Sequence, residues 1–553
     1  MKTSMKKLLA LLLALVMVAG LVACGSKDNA ENPPAQDDAP AAVPDETQSI
    51  IDQNSDMAEE DRYGGVLDLV WSACTDHFDP HTSGWPTYFW AQNVYETPLS
   101  RDSGGNLCPN VCEFEVSDDA LTLKLWVREG VIFHDGSAVE IEDVVASLDR
   151  AGKRYAKIGK AFNDKIASLE VADGVATYTF TDYNPETLYY ISGDNPWSAI
   201  IPKEICEKYP DSFINQLEDA IGTGPYYLDS YESNVCYHMK RFDGYVAVPE
   251  GHDSLAAPKK AYMDAINMWI NTDSTSLALG VIGGEYDFYF IDTEFLEQAE
   301  QMGYKNLNDN QTNMMALYFN TKSDRPVNDI NLRKAIAAAV DFQELMEIEY
   351  GEGHCDLEAN PMPGEAYAND AFTSQDWFGP SNMELAKQYL DASNYNGEVI
   401  KIVADNGNLG QCPVLIADKL GQLGIETEIL YMDAVTTKEF VADCENDFDL
   451  YPANYAQVYS PVVISGNAKS AFWGNAEKDR LFSEMSKLVP GSDEAMALWH
   501  ELAELWAEDC SVVNLGRVYF TWTTHPELNP NMSGSTWRYM WNAYWDNPSE
   551  HMD

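Results

Sequence analysis

Period-two alternation of apolar and polar residues marks the first half of the chain. Leu121-Thr122-Leu123-Lys124-Leu125-Trp126-Val127 and Val175 to Phe180 both read as half-buried antiparallel strands. Val66-Leu67-Asp68-Leu69-Val70-Trp71 is a further strand, opened by Gly64-Gly65 and followed by a turn at Asp79-Pro80. Between the two alternating runs, Val144, Val145 and Leu148 share one helical face, with Ser137 as the expected N-cap and Glu140 completing a capping box. Beyond residue 310 the period lengthens. Leu332 to Met346 carries a stripe of Leu332, Ile336, Ala339 and Val340 and predicts one helix; Met383 to Leu390, Val414 to Leu423 and Glu494 to Trp506 predict others. Lys401-Ile402-Val403-Ala404 and Thr427-Glu428-Ile429-Leu430 are strands among them. This alternation predicts an α/β lobe over 310 to 510 with a mainly parallel sheet, beside a more β-rich first half.

The N-terminal pattern differs from all of this. Lys2, Lys6 and Lys7 precede an uncharged run from Leu8 to Ala19, too short to span a bilayer comfortably, which reads as a cleaved secretory signal. Small residues then lead into Leu21-Val22-Ala23-Cys24, and this four-residue pattern resembles a bacterial lipoprotein lipobox. Cleavage after residue 23 would leave a lipidated Cys24 as the mature N-terminus, and two or three acyl chains would anchor it durably to a membrane. Residues 24–62 hold no aromatic and cannot bury enough apolar surface to offset ordering, so they are expected to form a disordered acidic tether.

Composition narrows the partners. The 89 Asp and Glu against 35 Lys and Arg give a formal charge of -54, which excludes nucleic acid, whose phosphates demand a basic footprint. No later apolar run reaches membrane-spanning length, so the body is expected to be extracytoplasmic and monomeric. Nine cysteines remain beside Cys24, an odd number in a compartment that permits disulfides. Their spacing is not that of a zinc site, and buried small hydrophobes with a few bridges are expected.

Catalytic signatures fail. His500-Glu501 is followed by no second His at zinc-face spacing, Gly222-Thr223-Gly224 lacks a third glycine, and no G-x-S-x-G or P-loop lysine occurs. His77 and His81 bracket Asp79, which reads as a polar turn before Pro80 rather than a metal site. Neither a metal nor a cofactor is expected, and no enzyme activity.

Several blocks then resemble one family. Tyr95-Glu96-Thr97-Pro98-Leu99, Trp126 to Gly136, Glu142-Asp143-Val144-Val145, Gly222-Thr223-Gly224-Pro225-Tyr226, Gly283-Gly284-Glu285-Tyr286-Asp287, Phe319-Asn320-Thr321 and Leu332-Arg333-Lys334-Ala335-Ile336 look like family 5 extracellular solute-binding proteins. These are the peptide, dipeptide and nickel receptors of ABC importers. Most of the blocks read as turns and core stripes that identify the fold, with Gly130 and Gly136 in tight reversals.

The resemblance implies an α/β, periplasmic-binding-protein-like type II fold with the three-lobe (cluster C) architecture, mixed sheets and a ligand cleft between two closing lobes. Lobe I would hold 63–99, 206–290 and 513–553; lobe II, inserted, 100–205; lobe III, 291–512; the signal peptide would be 1–23. Two chain crossings between lobes I and III would form the hinge. Peptide-binding relatives resemble a Gly-Trp pair followed by an Asp that meets the peptide ammonium. Here Asn454-Tyr455 stands in that place, with Gln457, or Val458 if one residue is skipped, where the Asp would be. Candidate ligand-binding residues are Ser72, Ala73, Cys74, Thr75, Trp90 and Tyr95, with Tyr455, Gln457, Tyr459 and Trp473 opposite. A peptide backbone would pair with extended segments near 72 to 75 and 454 to 457. The expected partner is an ABC permease and the expected solute an oligopeptide, with an oligosaccharide or other non-peptide solute as the alternative. A surface hydrolase and a receptor signalling to a membrane partner are more distant readings.

Overall fold

A computed structural model of the protein describes residues 57–552 except 73, 76, 83–87, 103–105, 118, 155–157, 183–187, 189, 193–195, 292, 309–312, 322–323, 363–366, 406–409, 457–473, 489–491, 520 and 531–539. Cys24 and the signal segment lie outside these residues, as do Ala73, Gln457, Tyr459 and Trp473.

Three sheets organise the body. The first has seven strands in the spatial order 305–308, 521–524, 288–290, 66–71, 265–270, 236–241 and 226–232. Val66–Trp71 pairs in parallel with Ala265–Ile270 and with Phe288–Phe290, and the outer pairs are antiparallel. The second is a four-stranded antiparallel sheet of residues 112–116, 122–127, 175–180 and 166–172. Its alternation works as expected: Leu123 and Leu125, with Ala176, Tyr178 and Phe180, turn inward against Ile141, Val144, Leu148 and Ala151 of helix Ile141–Arg154. The third has six strands in the order 355–357, 512–518, 313–319, 450–456, 400–405 and 427–432.

Four expectations are corrected here. The third sheet is mixed rather than mainly parallel. Ile400–Asp405 does run parallel to Thr427–Met432 and to Leu450–Ala456, each reached through a helix, but central Asn313–Phe319 is antiparallel to both of its neighbours. Side-chain period places a residue on a face and carries no strand direction, so the reversal left no trace in the pattern. The Leu332–Met346 stripe is two helices, Ile330–Ala339 and Phe342–Tyr350, because Val340 is extended and Asp341 caps the second by accepting from Glu344 N at 3.0 Å. Ser137 caps no helix: its hydroxyl donates to Asp135 Oδ1 at 2.6 Å, and the helix starts at Ile141 with Asp143 Oδ2 accepting from Glu140 N. Finally, the end of the expected tether belongs to the body. Glu59–Arg62 forms a 3₁₀ turn, and Arg62 lies 4.5 Å from the centre of the Tyr544 ring.

The turn before Pro80 is also more than polar. Asp79 is fully buried and accepts from Arg150 Nη1 at 3.0 Å and Nη2 at 2.6 Å, with Arg154 Nε at 3.3 Å. His81, beside it, meets Arg150 Nη1 and Ala199 O. Helix Ile141–Arg154 belongs to the second sheet, so this ionic cluster ties it to the chain leaving the first.

All nine cysteines in the described residues are free thiols, seven buried and two, Cys74 and Cys444, half-buried. Burial raises the Cys206 and Cys236 thiols to about 12. The expected bridges are therefore absent among the described residues.

Gly130 and Gly136 take φ of 82° and 85°, as their turns require. Gly222 and Gly224 serve differently, by close approach: an added Cβ would sit 2.2 Å from Val94 O and 2.6 Å from Asn93 O, respectively. Backbone cannot retreat from such a clash, so Gly222→Ala is expected to destabilise the protein by at least about 2 kcal/mol, read as a lower urea midpoint at unchanged slope.

Candidate ligand cleft

Strand register locates a seam between the first and third sheets. Asn308 and Thr521 form the last ladder pair of one sheet; Asn313 and Val518 form the first pair of the other. The chain therefore crosses between the two sheets twice, once between Asn308 and Asn313 and once between Val518 and Thr521. The parallel strands of both sheets end on the seam side: Trp71, Ile270 and Phe290 in the first, Asp405, Met432 and Ala456 in the third. Ligands of open α/β sheets bind beyond the carboxyl ends of such strands, where no helix covers the exposed backbone groups. Ser72 to Thr75 and the chain after Ala456 both start at this seam.

Within the predicted set, Ser72 is exposed and Cys74 half-buried, with its Sγ 2.9 Å from Asn234 Oδ1. Thr75 is held on every side by the protein itself. Its amide donates to the Tyr237 hydroxyl at 3.1 Å, its carbonyl accepts from the Tyr231 and Tyr237 hydroxyls at 3.2 and 2.9 Å, and its own hydroxyl donates to His77 O. The main chain at Thr75 is thus already engaged. Trp90 is a core residue, 0% exposed, stacked on Tyr237 at 5.4 Å between centroids, because helix Tyr88–Val94 turns that face into the first core. Tyr95 is likewise buried and donates to Phe78 O at 2.9 Å. Tyr455 packs in the third-sheet core against Tyr318 and donates to Asn514 Oδ1 at 2.7 Å.

Sequence reasoning passed over Tyr231 and Tyr237. They face each other across the Ser233-Asn234 hairpin, rings 4.5 Å apart, and their symmetric spacing about that turn was the available signal. It also passed over Arg517, one residue from a crossing. Arg517 donates through Nη2 to Glu358 Oε2 at 2.6 Å, while its Nε finds no partner among the described residues. Glu358 in turn is fixed by Asn360 N. A half-exposed guanidinium so placed can receive an acidic group, and its paired Glu358 leaves the local charge balanced.

A second charged feature lies inside the first sheet. Asp287 Oδ2 accepts from Asp68 N at 2.7 Å, and Asp68 Oδ1 accepts from Asn267 and from Trp269 Nε1. Burial, with the Asp68 carboxylate beside it, raises the Asp287 carboxyl to about 7. Its folded value exceeds its unfolded one, so this group stabilises the fold at acid pH and weakens it as pH rises through 7. Asp287→Asn keeps the acceptor and removes the charge. It is expected to raise the Tm most at pH 8, by less at pH 5, and not at all below about pH 4, in paired thermal melts.

Two α/β sheets joined by a double crossing, with carboxyl strand ends meeting at the seam, define the type II periplasmic-binding-protein fold. Residues 105–466, more than half of the chain, match the family described as bacterial extracellular solute-binding proteins, family 5 Middle, and the chain belongs to that family. A probable peptide ABC transporter periplasmic-binding protein of Sinorhizobium fredii is 26% identical over 480 residues, 80% of this chain and 86% of the relative. The glutathione-binding protein GsiB of Salmonella typhi is 26% identical over 328 residues, 58% of this chain and 60% of its own. Among solved structures, the ABC transporter substrate-binding protein CtaP from Listeria monocytogenes superposes with a TM-score of 0.74 at 18% identity, covering 87% of this chain and 99% of that one. DppA from Helicobacter pylori, solved in complex with the peptide STSA, gives 0.70 at 19%, covering 88% and 99%. These relatives are solute-binding proteins rather than enzymes. Among the described residues no helix is long and apolar enough to cross a membrane, and no group of His, Cys, Asp and Glu is placed to hold a metal ion.

Proposed function

We propose that this protein is the lipid-anchored, extracytoplasmic substrate-binding protein of an ABC importer, that it captures an oligopeptide or similar small polar solute by domain closure, and that it delivers the solute to the permease. The observation that carries this reading is the seam, where the carboxyl ends of parallel strands from two sheets meet beside two chain crossings. Closure about such crossings couples ligand burial to an open-closed equilibrium. In this reading 63–99, 206–290 and 513–553 move as one lobe and 291–512 as the other, while 100–205 rides with the first through the Asp79 cluster. Ser72, Cys74 and Thr75 would contact the solute from one side and the segment after Ala456, which carries Gln457, Tyr459 and Trp473, from the other, while Trp90, Tyr95 and Tyr455 support the two sides from within the cores. The protein acts as a monomer and performs no catalysis.

The named relatives support a peptide-type solute, since one is a probable peptide transporter component and another was solved with a bound peptide. The engaged main chain of Thr75 favours a second reading. A ligand that cannot form a backbone ladder there is held through side chains, which suits an oligosaccharide or another compact non-peptide solute equally well. Structural neighbours solved with agropinic acid and with Fe(III)-EDTA bind small molecules of this kind on the same fold.

Calorimetry and thermal shift of residues 25–553 against peptide, oligosaccharide and metal-chelate panels separate the readings. Stabilisation by peptides is the expected result; stabilisation by sugars alone would overturn the peptide assignment. Anchoring is tested separately by labelling with a palmitate analogue in bacterial cells, where Cys24→Ala is expected to abolish incorporation.

A further inference from the structure

One side chain of the third-sheet body reaches across the crossings. His354 directly precedes strand Cys355–Leu357, which pairs with Val512–Val518 in the third sheet. Its Nδ1 lies 2.7 Å from Thr521 Oγ1, in the first strand residue on the far side of the crossing. Thr521 Oγ1 donates its only proton to Asn308 Oδ1 at 2.8 Å, so it must accept from His354, which fixes the proton on Nδ1. Asn308 ends the other crossing strand. The His354 carbonyl meanwhile accepts from Tyr519 N at 3.0 Å, inside the crossing itself, and the Tyr519 hydroxyl bonds Asp356.

A single residue of one body is thereby bonded at two points of one linking segment, Tyr519 and Thr521, and through Thr521 to Asn308 at the end of the other. We infer that the chain His354–Thr521–Asn308 is a hinge brace that holds the two sheet bodies in the arrangement seen in this structure and sets the resting open-closed equilibrium of the receptor. The geometry favours this over a purely local role. Rotation about the crossings changes the angle between the third sheet and strand Thr521–Thr524, and this chain spans that angle, whereas the ladder bonds on either side lie wholly within one sheet. Burial also lowers the His354 basicity. The brace contains none of the candidate ligand-binding residues, so a change in closure there is separable from a change in those residues. The inference rests on the domain-closure reading above.

The test uses the full chain with dyes on azido residues encoded at Asp243 in the first-sheet body and Gln422 in the third, which spares the native thiols. Single-molecule energy transfer then reports the distance between the bodies. Thr521→Val, isosteric and without the hydroxyl, and His354→Phe are each expected to shift the population away from the wild-type arrangement by about two- to tenfold, the change one net hydrogen bond supports. Distributions that match wild type in both variants would overturn the brace. Should His354→Phe lose its fold by circular dichroism, Thr521→Val alone decides. The closure reading fails on a different result, a wild-type distance that stays fixed with every solute that stabilises the protein.

Discussion

Lys259→Met is expected to cost about 3–5 kcal/mol of stability, because it leaves a buried carboxylate without its counter-charge. Lys259 and Glu96 are both buried and are bonded through Lys259 Nζ and Glu96 Oε1. Glu96 Oε1 also accepts from the Tyr245 hydroxyl and Oε2 from the Thr223 hydroxyl, each at 3.0 Å. Lys259 Nζ donates to Asn110 Oδ1 at 3.3 Å and lies 4.6 Å from the centre of the Trp541 ring. Methionine fills the stem's volume, so the loss reports charge rather than a cavity. In Glu96→Gln/Lys259→Met the uncompensated charge is gone, and the double variant is expected to be more stable than Lys259→Met alone by urea denaturation. A single variant within about 1 kcal/mol of wild type would mean that water reaches Glu96.

Acid is expected to weaken the fold between pH 6.5 and 4, chiefly through two buried imidazoles. Burial, and for His81 the neighbouring Arg150, lowers both His81 and His134 to about 4 from 6.5. Below pH 6.5 the unfolded chain takes up these protons while the folded one refuses them, so stability falls with pH and levels off near 4. A tenfold loss of proton affinity corresponds to about 1.4 kcal/mol, which gives on the order of 3 kcal/mol for His81, the more deeply buried. Asp287 works in the opposite direction over pH 7 to 4, so Asp287→Asn should steepen the acid loss measured by chemical denaturation. A stability profile flat across this acid range in that variant would contradict the assignment. His81→Asn should remove part of the slope.

Why the elements were legible and the site was not follows from what side-chain patterns encode. Alternation at Leu121–Val127 and Val175–Phe180 reports one wet and one dry face, and both strands form as expected. The blocks at Tyr95–Leu99 and Gly222–Tyr226 identified the family, and their reason is now physical: Glu96 and Thr223 meet in one buried network, and Gly222 and Gly224 let two backbones touch. Aromatic residues near a seam gave a weaker signal. Trp90, Tyr95 and Tyr455 were chosen for chemistry that stacking and polar tips allow, but the same chemistry fits a core, where Tyr95 and Tyr455 satisfy their hydroxyls internally. Asp79, His81 and Arg150 escaped because Arg150 is 71 residues from Asp79 and no local spacing joins them.

The nine free thiols have a consequence for handling as well as for biogenesis. A fold with no cross-link to form needs no oxidant to mature, and its native stability should be indifferent to reductant. Its unfolded state is another matter, since heating releases seven sequestered sulfhydryls at once. Melts in air should end in covalent aggregates, and melts under dithiothreitol should reverse on cooling.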